Sequence, residues 1–258
     1  MKFGFLEMPM WVWRQIRSLY EYFVLYGGLL FFALICLAWS LPASLLRHLM
    51  PHRTAQRVGR YAIMLVFRIY LLVLRASGMV KCDLAALDVL RKEPSLVIAT
   101  NHPSLIDVVL VGSRLPNFVC VLKAKLLDNP LLGGGASMAG YVRNDSTAML
   151  MRESNVALRA GAQLLIFPEG TRTVQQPVNE FKGGFALVAK KACVPVQTVF
   201  IEASSPFLGK HWSFFDKPDF PLRYKVWLGE RFEVKGDAKT FAADLEKYYR
   251  EQMTQKQS

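Results

Sequence analysis

From residue 23 to residue 46 the chain runs for 24 residues without a charged side chain. At about 1.5 Å of rise per residue, a helix of that length reaches across a hydrocarbon core of about 30 Å. A stretch this apolar cannot be left in water, so the fold must lay it in lipid or against other apolar chain. Trp11, Trp13, Trp39, Tyr20, Tyr22 and Tyr26 sit in or beside it, and these residue types settle at membrane–water boundaries. The run starts late, is long and lacks a small-x-small cleavage site, so it does not read as a removable leader. Pro42 is expected to kink or end the helix. Crossing the bilayer and re-entering on the same side both agree with the length.

The next segment, residues 52–76, carries Arg53, Arg57, Arg60, Arg68 and Arg75, which fall within about 80° of arc at about 100° per residue. The rest of that helix is apolar, including Ile63, Leu65, Phe67, Ile69, Leu72 and Leu74. One reading is a core helix with its arginines in solvent. The other, which the apolar neighbour favours, is an in-plane helix with its apolar side in lipid and its arginines among phosphates. The 9 Lys and Arg of residues 1–80 face 2 acids, and none lies between Arg47 and Arg75, so this flank is expected on the cytoplasmic side. The whole chain carries +12 and is 52% hydrophobic, which points to a membrane surface or another anionic partner. No zinc-finger spacing, helix-turn-helix signal or RNP motif is present, so nucleic acid is not expected. The four cysteines, Cys36, Cys82, Cys120 and Cys193, are scattered, which suits a reducing compartment without disulfides. His48 and His52 share an i, i+4 spacing, but Pro51 lies between them with no carboxylate near, so no metal site is expected.

From about residue 82 the pattern changes, which divides the chain into a membrane-associated helical module, 1–80, and an α/β domain, 81–258. Short apolar runs at 96–100, 118–122, 163–167 and 196–201 read as buried strands, with helices at 105–113, 148–160 and 183–191 between them. Such alternation implies an α/β fold with a mostly parallel sheet flanked by helices. Residues 223–234 read as a later strand at an edge, and 238–256 as a charged terminal helix.

Ligands of such sheets gather beyond the carboxyl ends of the strands, and two dense runs lie there. Asn101-His-Pro-Ser-Leu-Ile-Asp107 follows the first strand, and Phe167-Pro-Glu-Gly-Thr-Arg172 follows the third. A neutral imidazole at His102 suits a general base near neutral pH, and a carboxylate at Asp107 can fix its tautomer and stabilise the imidazolium. A capping turn in which both make only local hydrogen bonds agrees equally well with the spacing. No G-x-S-x-G is present, so the nucleophile would be a hydroxyl of the substrate. Glu169 can accept hydrogen bonds from a diol, Gly170 permits close backbone approach, and Arg172 can fork onto phosphate; a structural Glu–Arg pair is the alternative. Lys123, Lys125 and Arg143 follow a strand or the glycine-rich stretch 133–140, and together could line a phosphate or headgroup pocket.

The first run resembles the His-x4-Asp block of the glycerolipid acyltransferases, the 1-acylglycerol-3-phosphate O-acyltransferase family. Gly140-Tyr-Val-Arg143, Phe167–Arg172 and Val194-Pro-Val196 resemble the family's second, third and fourth blocks, in order, over about residues 80–205. The resemblance implies a membrane-bound enzyme that moves an acyl chain from acyl-CoA or acyl-carrier protein to a lipid hydroxyl, lysophosphatidic acid first among the acceptors. It implies His102 as base, Asp107 as its orienter, and Glu169, Gly170, Thr171, Arg172 and Arg143 at the acceptor, with membrane lipids and the thioester as partners and no resident cofactor. The second block often carries an acid just before its arginine; Val142 stands there, which leaves another lysolipid, a glycolipid or an aryl-polyene-type lipid open as acceptor.

Overall fold

The computed structural model describes residues 9–256. The first eight residues of the expected 1–80 module, and the last two of the chain, lie outside the described residues. Helix α1 spans Met10–Leu49 without interruption, so the helix runs through Pro42 instead of ending there. Pro42 is exposed on a face that needs no partner from the rest of the chain, which lets the helix absorb the missing N–H. Helix α2 spans His52–Ala76 and packs beside α1.

Seven strands follow: β1 Val80–Asp83, β2 Val97–Thr100, β3 Phe118–Leu122, β4 Val142–Arg143, β5 Gln163–Ile166, β6 Val196–Ala203 and β7 Leu222–Phe232. Their order is β1-β7-β6-β2-β5-β3-β4, and every pairing is parallel except the antiparallel β6–β7. The mostly parallel α/β sheet is therefore as expected. Strand β7 is not an edge: β1, whose Lys81 and Asp83 hide it among polar residues, covers its outer side. The central strands β2 and β5 are buried at every position, as strands covered on both faces must be.

Helices α6 (Thr147–Arg159), α7 (Gly184–Ala192) and α8 (Ala238–Gln255) pack on one another in series. Helix α3 (Asp107–Gly112) packs with α2; the short α4 (Ala124–Leu127) leads to α5 (Gly133–Ala139), which packs with both α1 and α2. The glycine-rich stretch is thus a helix and not a phosphate-binding loop. A Cβ on Gly134 would lie 2.3 Å from the Ser40 carbonyl oxygen, and one on Gly135 would lie 2.7 Å from the Trp39 ring, so the glycines let α5 approach α1 at backbone distance.

The arginine stripe of α2 divides in two. Arg53, Arg57 and Arg75 are exposed, but Arg60 is buried and donates to Ala139 O (2.9 Å), Asn117 Oδ1 (2.9 Å) and Gln56 Oε1 (3.4 Å). Arg68 donates to Ser113 O at 2.7 Å. These two bind unpaired carbonyls of the α/β domain instead of lipid phosphates. Opposite the buried side, Val58, Tyr61, Leu65, Ile69 and Leu72 form an exposed apolar line at helical spacing. Helix α1 exposes a similar line, Ile16, Leu19, Phe23, Leu30, Leu34, Leu41 and Leu45. Leu25 of α1 and Ile63, Phe67 and Leu74 of α2 belong to the same core as the sheet residues. The two helices are therefore walls of the domain as well as apolar surface.

Candidate active site

Strands β2, β5, β3 and β4 lie side by side in parallel and end at one rim of the sheet. The four segments that leave them begin with Asn101, Phe167, Lys123 and Asn144. The topology thus brings the two dense runs together, with β5 directly beside β2. Arg143 ends β4, three strand spacings away, about 14 Å across the rim.

The turn after β2 is fixed by its own side chains. Asn101 Nδ2 donates to Ile201 O at 2.8 Å, and its Oδ1 accepts from Ile201 N at 2.8 Å, which ties the turn to β6. Ser104 Oγ donates to Phe207 O at 2.7 Å. His102 Nδ1 lies 2.9 Å from Asp107 Oδ2, which also accepts from Ser104 N at 2.8 Å. The imidazole stacks on Phe167, with centroids 3.8 Å apart and planes 18° from parallel. Two partners thus fix the ring orientation, and Nε2 makes no hydrogen bond among the described residues.

Asp107 is fully buried. Burial pushes its carboxyl above the ordinary range, while His102 and the Ser104 N–H pull it down. A buried carboxylate without a counter-charge is costly, so a proton arriving at Nε2 relieves it by making His102 the cation. Asp107 Oδ1 has no hydrogen-bond partner among the described residues. Tyr224, absent from the candidates read from the sequence, is buried beside Ser104 and Asp107. Burial, and then the Asp107 charge, push its phenol well above the usual tyrosine range. An alternating strand shows only that Tyr224 faces inward; register alone brings it under the His102 turn.

Glu169 is turned inward. Its Oε1 accepts from His102 N (2.9 Å) and Thr173 Oγ1 (2.8 Å), and its Oε2 accepts from Asn179 N (2.8 Å). Burial holds its carboxyl above the usual range. In this geometry it braces the first run against the second, where the sequence pointed to a diol acceptor. Arg172 does not pair with it: Nη1 donates to Leu208 O (2.8 Å) and Gly209 O (2.7 Å), while Nη2 and Nε make no bond among the described residues. Gly170 is exposed at φ +66°, and a Cβ there would lie 3.1 Å from Lys182 Nζ. Thr171 is half-buried at the border of a groove that Lys182 and Lys210 also line. Lys123 and Lys125 are exposed past β3. Arg143 forks onto Asp128 at 2.9 and 3.0 Å and also bonds Asp145, so its donors are engaged within the chain.

On the other side of the His102 turn, Leu105 and Val108 border an apolar cavity of ≈ 220 Å³. Phe32, Cys36 and Trp39 of α1, Ile63, Val66 and Phe67 of α2, and Leu122, Leu131 and Ala136 also line it. An imidazole fixed by a buried carboxylate, at the rim of a parallel sheet and beside an apolar cavity, defines an α/β site suited to chemistry on an apolar substrate.

Residues 82–202 match the acyltransferase family. Over these residues the chain is similar to the glycerolipid acyltransferases. It is 35% identical over 130 residues to a lyso-ornithine lipid O-acyltransferase of Pseudomonas aeruginosa, a match covering 46% of this chain and 50% of that one. It is 22% identical over 213 residues to a 1-acyl-sn-glycerol-3-phosphate acyltransferase of the same organism, covering 80% and 79%. The chain thus spans half the length of the first relative and most of the second. The crystal structure of the 1-acyl-sn-glycerophosphate acyltransferase of Thermotoga maritima has the same fold, with a TM-score of 0.61 at 22% identity over 93% of this chain and 98% of that one.

Proposed function

We propose that this protein is a membrane-bound O-acyltransferase that moves a fatty acyl chain from acyl-CoA or acyl-carrier protein to the hydroxyl of a lysolipid. The observation that carries the reading is the oriented His102–Asp107 pair beside the apolar cavity. The acyl chain occupies the cavity, which brings its thioester carbonyl to the rim. His102 Nε2 takes the proton of the acceptor hydroxyl, and Asp107 stabilises the imidazolium. The acceptor oxygen attacks the carbonyl carbon, giving a tetrahedral intermediate. The C–S bond then breaks, the imidazolium returns its proton to the departing sulfur, and ester and thiol leave. Lys123, Lys125 and the two uncommitted nitrogens of Arg172 supply positive charge for an anionic acceptor or the donor's phosphates. The apolar lines on α1 and α2 support a location at a bilayer, and we assign the protein to its cytoplasmic face.

Lysophosphatidic acid is the first acceptor. A second reading, another lysolipid, is favoured by Arg143, whose fork is already held by Asp128. The test is mass spectrometry of the products from purified protein given one labelled thioester and a panel of acceptors. Phosphatidic acid as main product supports the first reading. An inert lysophosphatidic acid with turnover on another hydroxylated lipid supports the second. No acyl transfer to any acceptor would overturn both.

A further inference from the structure

Residues 206–217 leave the sheet after β6 and carry, near their far end, two adjacent phenylalanines, Phe214 and Phe215, that are 62% and 80% exposed. Nothing in the proposed chemistry uses them. The loop is nevertheless held firmly at both ends. At one end it meets the catalytic turns: Phe207 O accepts from Ser104 Oγ (2.7 Å), and Leu208 O accepts from Leu105 N (3.2 Å) and from Arg172. At the other end it meets α1: Tyr26 Oη donates to Phe214 O (3.2 Å), the Phe214 ring sits 5.2 Å from the Tyr26 ring, and Lys217 bonds both Glu21 and Ser18.

The place on α1 where it docks is specific. At about 100° per residue, Tyr26 is about 60° around the helix from Phe23 and about 40° from Leu30. Phe23 and Leu30 belong to the exposed apolar line of α1, 74% and 60% exposed. Phe214 and Phe215 therefore extend that line sideways onto the α/β domain. Phenylalanines exposed to this degree, contiguous with a long apolar flank, fit the boundary layer of a lipid membrane.

We propose that this loop is a second bilayer-contacting element, which inserts Phe214 and Phe215 into the lipid interface beside α1 and holds the His102 and Arg172 turns at the membrane surface. Contact with lipid does not depend on which reaction the site performs, so a local probe tests it independently. In the full chain with Cys193→Ser, a polarity-sensitive fluorophore is attached at Phe215→Cys, at Leu30→Cys on α1, or at Val156→Cys on α6. The proteins are reconstituted into phosphatidylcholine–phosphatidylglycerol vesicles with and without shallow spin-labelled lipid. The expected result is a blue shift and quenching at positions 215 and 30 and neither at 156. An unchanged spectrum at 215 while 30 responds would overturn the proposal. A shift at 215 that needs no lipid and grows with protein concentration would assign the patch to a second copy of the chain and overturn it equally. As a second readout, Phe215→Ser should lower turnover of vesicle-borne acceptor several-fold and leave micellar turnover and melting temperature near wild type. Equal losses in vesicles and micelles would mean a purely structural loop.

Discussion

His102 is placed by one charged partner and one aromatic face, so its loss removes chemistry and little packing. His102→Ala should lower acyl transfer by about 10²–10⁴-fold, the usual contribution of a positioned base, with melting nearly unchanged. Wild-type rates in that variant would remove His102 from the mechanism. Glu169 behaves differently, because it accepts from three donors of its own chain. Glutamine keeps the size but turns an amide toward at least one of these donors, at a cost of about 1–3 kcal/mol. Glu169→Gln should therefore lower the melting temperature and kcat together, whereas a raised KM at unchanged stability would make it an acceptor ligand. Its pH dependence has a definite sign. Burial raises the Glu169 carboxyl in the folded state, so the fold holds that proton more tightly than the unfolded chain does. Wild type loses this contribution as pH rises from the unfolded value near 4.5 through the higher folded one, while Glu169→Gln has nothing there to titrate. The stability gap between the two should be widest at the acid end and narrow toward neutral pH, as thermal melts across that range would show. At this scale the spacing allowed a His102–Asp107 pair but agreed equally with a capping turn, and the contact itself is seen only in the structure. Nor could spacing tell that Glu169 and Arg172 turn toward backbone groups, because sequence does not record which carbonyls and N–H groups a turn leaves unpaired.

The elements show where periodicity succeeds and where it misleads. Strands β2, β3, β5 and β6 and helices α6, α7 and α8 fall within a residue or two of their apolar patterns. Strand β1, Val-Lys-Cys-Asp, breaks its apolar residues with two charges and so shows no apolar run, and β4 has only two residues. The arginines of α2 do share a face, but a face is not an environment. Arg60 meets the buried Ala139 carbonyl at the C-terminal end of α5 and the side chain of Asn117, groups brought there only by tertiary packing. Two variants of one stripe should thus diverge. Arg60→Ala leaves those acceptors buried and unpaired and should cost about 2–4 kcal/mol, a drop of about 4–16 °C at 2–4 °C per kcal/mol. Arg57→Ala, at an exposed site, should stay within about 0.5 kcal/mol. Denaturation of both in the same detergent would separate them, and equal effects would return Arg60 to the lipid-facing set.

At the scale of the molecule, the change of composition near residue 80 suggested an anchor joined to an enzyme. The structure runs one core across that boundary and builds the apolar cavity from both sides of it: Phe32, Cys36 and Trp39 from α1, Leu105 and Val108 from beside the catalytic turn. Composition can mark a segment as apolar but cannot say whether its partner is lipid or protein, and α1 has both, with Cys36 buried and Leu34 exposed two residues earlier. Removing residues 1–49 should therefore abolish acyl transfer even to a water-soluble short-chain acceptor, because it opens the cavity along one wall. Misfolding would give the same result, so a smaller change decides the matter. Cys36 is 6% exposed and borders the cavity, and Cys36→Phe adds a ring to a wall that nothing but the acyl chain needs open. That variant should shift preference toward shorter acyl thioesters, with kcat on the short donors largely kept and membrane association unchanged. Competition between donors of graded length, with products counted by mass spectrometry, measures the shift directly. If the chain-length profile stays as in wild type, the cavity does not hold the acyl chain, and α1 serves the membrane alone.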